Sequence, residues 1–167
     1  MKNVLFVCLL FISTSTLAGL PSIDRVRLLY EKSVEDESAC KELINILSSY
    51  NENNNPLYAG YKASAVMMMA KHVFNPFSKM SYFNKGKKML ENAINVDGNN
   101  VELRFLRFNA QTHVPSFLGY DDNIHEDKKF LEREFPKIND LKLKQYLAFY
   151  LEKSKYISPE KKTELQL

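Results

Sequence analysis

Disulfide chemistry is the first thing this sequence lacks. Two cysteines occur, Cys8 and Cys40, and Cys8 lies inside an apolar run at the N-terminus. If that run is removed, Cys40 stands alone and the fold must be held by burial, not by a staple. Turn formers are also sparse, with five glycines and six prolines in 167 residues. No sustained alternation of apolar and polar residues appears, which argues against sandwiches and barrels. Three histidines and no HExxH spacing leave little for a zinc site, which needs three or four convergent ligands. No Gly-x-Ser-x-Gly elbow occurs, and the isolated glycines make no phosphate-cradling loop. Beyond the N-terminus, no apolar stretch reaches the roughly 20 residues of a membrane span.

What the chain does have begins at its start. Lys2 supplies a positive charge, Val4 to Ile12 is an unbroken apolar run, and small residues follow at Thr16 and Ala18. That is the layout of a secretory signal, with cleavage expected after Ala18 and the mature domain running from Gly19 to Leu167. The competing reading is a short anchor that is never cut. Cys8 sits too early for a lipoprotein site. The net charge of +3 comes from 23 basic and 20 acidic residues. Interspersed signs at that ratio give no nucleic-acid signature.

The rest divides into helix-length segments. Apolar residues at 3.6-residue spacing predict helices over 22–35, 37–50, 57–73, 81–96, 101–113, 122–135 and 140–155. Ser158-Pro159 opens a short last helix. The 57–73 segment is apolar nearly all round and rich in small residues, so it is expected at the centre. Cys40 lies on an apolar stripe with Ala39, Leu43, Ile44 and Leu47, and reads as a small core residue. Asn75-Pro76 is expected to end the third helix. Gly98, in Asp97-Gly98-Asn99-Asn100, is expected to supply a positive φ.

Short linkers require consecutive helices to fold back as antiparallel hairpins. Gly86, Leu90, Ala93 and Ile94, followed by Asp97-Gly98-Asn99-Asn100, resemble the second helix and exit turn of a tetratricopeptide repeat. The resemblance covers about 20 residues; Gly98 stands where the repeat prefers proline. It implies an all-α array of antiparallel helical hairpins, seven to eight helices in a single domain over 19–167, that holds a protein or peptide on a concave face. The chain also resembles the short exported helical proteins of Gram-negative bacteria, which implies a secreted or periplasmic location and no particular activity.

The most informative segment for function is Asn109 to Tyr120, which is either a plug sealing the next hairpin or a contact surface. Arg104, Arg107, Phe117 and Tyr120 lie close together in sequence and form the expected binding set, since Arg and aromatic side chains anchor interfaces. Arg104 and Arg107 are expected either to pair with Glu102 or to line a groove. The leading expectation is a scaffold or binding module for an unidentified protein or peptide, with no cofactor, no metal, no nucleic acid and no stable membrane span. The alternatives are a small hydrolase-type enzyme built on His113, Asp121, Asp122 and His125, and a small-molecule or lipid carrier. A groove lined by the third and fifth helices would favour the first reading; an enclosed apolar cavity would favour the carrier.

Overall fold

The computed structural model describes residues 20–167, so the signal-type segment and its cleavage point lie outside the described residues. The described chain is all-helical, with eight α-helices. They are α1 (Ile23–Lys32), α2 (Glu37–Ile46), α3 (Pro56–His72), α4 (Pro76–Val96), α5 (Val101–His113), α6 (Ile124–Glu134), α7 (Leu141–Lys153) and α8 (Pro159–Leu165).

Local chemistry explains most of the boundaries. Side-chain oxygens of Ser22, Asp36, Asn55, Asn75, Asn100, Asp140 and Ser158 each accept a hydrogen bond from a backbone N–H in the first turn of the helix they precede. Those N–H groups have no partner within the helix, so the caps define where each helix begins. Proline occupies the first position of α3, α4 and α8, where its missing N–H costs nothing.

Two expectations change. Helix α4 starts at Pro76, not at 81, because Asn75 caps Phe77 and Ser78 while Pro76 fixes the first turn. Asn75-Pro76 is therefore a start signal as much as a stop signal. Gly98 does not take a positive φ; among the described glycines Gly119 does, at φ 57°. The turn before α5 is closed instead by Asn100, whose side chain accepts from Glu102 and Leu103 N–H and donates to Asp97 at 3.0 Å.

Helix α3 is the centre, as its composition requires. It packs most extensively on α4 and also touches α1, α2 and α5. Gly86 of α4 allows the close approach: a Cβ there would fall 2.6 Å from the Ala63 carbonyl and from the Met67 nitrogen. Gly60 does the same toward α5, where Leu103 occupies the space a Cβ would need. Ala93 is fully buried beside Leu90 and Ile94. Cys40 is a core residue whose thiol points to the Ala65 carbonyl at 3.1 Å. Burial pushes that thiol up to about 11, which keeps it protonated and unreactive at neutral pH.

Candidate functional site

Helix α5 carries an ionic core on one side. Asp127, on α6, is fully buried, and its carboxylate accepts from Arg104 Nε and, at 2.7 and 2.8 Å, from Arg107 Nε and Nη2. Arg104 also reaches Glu126 at 2.5 Å, and Arg107 reaches Glu91 of α4 at 2.9 Å. The Tyr120 hydroxyl donates to the other oxygen of Glu91 at 2.6 Å, and the ring packs edge-on against Phe83. Burial alone would lower the Arg107 pKa, but its Asp127 hydrogen bond and charge outweigh this and raise it. The hydrogen bond from Arg104 holds Glu126 below the usual carboxylate range.

Glu102 does not join this network. It turns to α1 and α3, accepting from Arg27 at 2.5 and 3.1 Å and from the Tyr61 hydroxyl at 2.6 Å. The pairing of Arg104 and Arg107 with Glu102 is thus corrected: helix α5 offers these side chains on different faces, and Asp127 receives both arginines. Of the four expected binding residues, Arg104, Arg107 and Tyr120 are buried and engaged within the fold, while Phe117 is 82% exposed. The Asn109 to Tyr120 segment divides accordingly. Tyr120 is a plug, and Phe117 stays at the surface.

The other side of α5 borders an open groove of about 740 Å³. Its walls come from α3 (Ser64, Met67, Met68, Ala70), from the start of α4 (Pro76, Met80, Phe83), and from α5 and the turn after it (Asn109, Ala110, Val114, Phe117). No aspartate or glutamate lines it; Lys71 and Lys79 are its cationic groups, and His113 adds an imidazole. The floor holds the Ser64 hydroxyl, buried and without a hydrogen-bond partner. Asn109 donates to the Tyr30 hydroxyl at 2.8 Å, which fixes its amide in the wall. Asn109, His113 and Tyr150 also border a second pocket of about 440 Å³, lined by Phe105, Phe108, Phe149 and Tyr156. The two recesses therefore share a wall at the C-terminal end of α5.

The residues weighed for catalysis are not gathered. His113 Nδ1 lies 2.8 Å from the Asn109 carbonyl, one turn back on its own helix. Asp121, Asp122 and His125 are all exposed, and no hydrogen bond joins them to His113. Among the described residues no group of three or more His, Cys, Asp or Glu is arranged to hold a metal ion. No described helix is long and apolar enough to cross a membrane.

Sequence reasoning missed Asp127, Glu91 and Arg27, whose partners lie between 16 and 75 residues away. It also missed a signal that was present. From 53 to 90 the chain has six lysines and no acidic residue, so charges are not interspersed over α3 and most of α4. Searches against known protein families, known proteins and solved structures found no match to this chain.

Proposed function

We propose that this protein is a non-catalytic binding module of the secreted or periplasmic space whose groove between α3, α4 and α5 holds an apolar segment of a protein or peptide. The observation that carries this reading is the groove itself: about 740 Å³, lined by methionine, alanine and aromatic side chains. Volumes of this order suit ligand burial. Methionine walls adapt to varied apolar shapes. The groove is open along its length, which suits an elongated occupant better than a small compact one. Asn109 and His113, both in the groove lining, offer hydrogen bonds of the kind a polypeptide backbone needs. The repeat-like spacing of Gly86, Leu90 and Ala93, buried between helices, supports the same reading, because repeat arrays packed this way present concave binding surfaces elsewhere.

Selection of displayed peptides on the exported protein tests this, with Ala110→Arg as the control. Ala110 lines the groove and is half-buried, so a long cation there fills the space while its head reaches solvent. Selected peptides are expected to carry apolar anchors and to lose binding to Ala110→Arg, with circular dichroism unchanged. Peptides bound equally by the variant would remove the groove from consideration. A second reading, a carrier of a small apolar molecule, is favoured by the acid-free lining beside Lys71 and Lys79. Native mass spectrometry of the protein as isolated separates the two, since a carrier retains a defined small adduct.

A further inference from the structure

The hairpin formed by α3 and α4 has a feature that the groove does not use. Phe74 and Phe77, on either side of the Asn75-Pro76 start of α4, are 98% and 86% exposed. Neither is among the aromatic side chains that pack on another ring or on a described cation. Met80, one turn further along, is also exposed. Leaving two whole phenylalanine rings in water forgoes about 1.5–3 kcal/mol each.

The charges along this hairpin's own sequence are of one sign; the acidic side chain nearest its tip, Glu35 of the α1–α2 turn, is paired with Lys71 at 3.6 Å. Residues 53–90 hold six of the 23 basic residues and none of the 20 acidic ones. Lys79, Lys85 and Lys88 are exposed, and no described acidic side chain pairs with them. Phe77, Ser81, Lys85 and Lys88 follow at spacings of four, four and three, so they share one outward strip of α4. That strip runs from an aromatic tip to a lysine-bearing stem.

We infer that this hairpin docks the protein on an anionic lipid surface, with Phe74 and Phe77 entering the interface and Lys79, Lys85 and Lys88 contacting phosphate headgroups. Exposed aromatic rings beside clustered lysines match a bilayer interface in both respects. The rings leave water for the acyl boundary, and the ammonium groups meet negative surface potential. A protein partner is disfavoured because lysine is depleted from the cores of protein interfaces. Nucleic acid is disfavoured because two adjoining, fully projecting rings with no arginine nearby lack the guanidinium contacts that read phosphate bidentately. Lys79 and Met80 also line the groove, whereas Phe74, Phe77, Lys85 and Lys88 lie outside it; the inference rests on those four and does not depend on what fills the groove.

The chain contains no tryptophan, so Phe77→Trp introduces a reporter without background. Its emission is read with vesicles of phosphatidylcholine alone and of phosphatidylcholine mixed roughly 2:1 with phosphatidylglycerol. The expected result is a blue shift and quenching by brominated acyl chains on the mixed vesicles only, weakened by high salt. In vesicle flotation, the triple variant Lys79→Glu, Lys85→Glu, Lys88→Glu is expected to bind mixed vesicles at least about tenfold more weakly. Phe74→Ser with Phe77→Ser is expected to reduce binding comparably. Both variants change exposed side chains, so unchanged melting temperatures verify the fold. Equal response to both vesicle types, or no response to either, overturns the inference. So does retained binding by both variants. A concentration-dependent dimer abolished by Phe74→Ser with Phe77→Ser, without vesicle binding, would show that a second copy covers the rings.

Discussion

Helix α5 separates two regions built on opposite terms. Toward α6 and α4, its arginines are buried and each of their carboxylate partners is accounted for: Asp127, Glu91 and Glu126. Toward α3 and the start of α4, its small and polar residues border an apolar groove that nothing in the described chain fills. The charged side chains, which composition would place at the surface, form the closed region. Apolar ones, Met80 and Phe117 among them, are left open. A guanidinium tolerates burial only when its N–H groups are matched, and two arginines sharing one aspartate achieve that. An apolar wall has no such requirement and can remain exposed where a partner supplies the other half.

The contrast predicts opposite responses to substitution. The largest effect is expected in the closed region. Asp127→Ala leaves Arg104 and Arg107 buried without their shared carboxylate and should cost about 3–5 kcal/mol, read from urea unfolding followed by circular dichroism. Ala93→Glu, which places a carboxylate at a fully buried site, is expected to fall in the same class. Stability within about 0.5 kcal/mol of the parent for Asp127→Ala would mean that the ionic core is solvated. Arg107→Ala and Tyr120→Ala should likewise report as lost stability before any lost binding.

Gly86→Ala comes next. The added Cβ meets α3 backbone at 2.6 Å, which side-chain adjustment cannot relieve. We expect a loss of about 1–3 kcal/mol as α3 and α4 part. A neutral outcome would show that the two helices approach less closely than described.

Alkaline pH should act on the core with a defined sign. Cys40 is pushed up to about 11 and Tyr30 up to about 12, both by burial. The unfolded chain therefore releases these protons first. Their contribution is complete below about pH 9 and is lost as pH rises through about 11 for Cys40, then about 12 for Tyr30. The urea midpoint should fall between pH 8.5 and pH 11, and Cys40→Ala should flatten part of that fall. A midpoint that rises over this range contradicts the assignment.

The smallest effect on stability belongs to the open region. Phe117→Ser removes a ring that is 82% exposed, so unfolding should shift by no more than about 0.5 kcal/mol. The same variant is expected to weaken uptake of the fluorescent apolar probe N-phenyl-1-naphthylamine, because Phe117 lines the groove. A large stability loss with unaltered probe binding would move Phe117 from the open region to the closed one.

Legibility in the sequence followed the range of the interactions. Caps and breaks are local, so Ser22, Asn100 and Ser158 with its following proline marked helices close to where they form. The centrality of α3 was also legible, because a helix apolar on all faces has no side to give to water. The start of α4 was misread because Asn-Pro ends one helix and caps the next with the same atoms. Arg104 and Arg107 were expected to bind a partner, pair with Glu102 or line a groove; their buried pairing with Asp127 was hidden, since that residue lies 23 and 20 residues further along. The groove was foreseen only as a possible pairing of the third and fifth helices.

By itself the sequence determined that this is a helical chain of short hairpins with a small-residue centre. Periodicity, caps and composition act within a few residues and leave little freedom at that level. Tertiary structure alone decided which arginine meets which acid, which phenylalanines turn outward, and where the apolar groove lies. Those outcomes depend on how helix faces rotate against one another. A rotation that changes no local hydrogen bond can still bury Asp127 beside two arginines and leave Phe74, Phe77 and Phe117 in water.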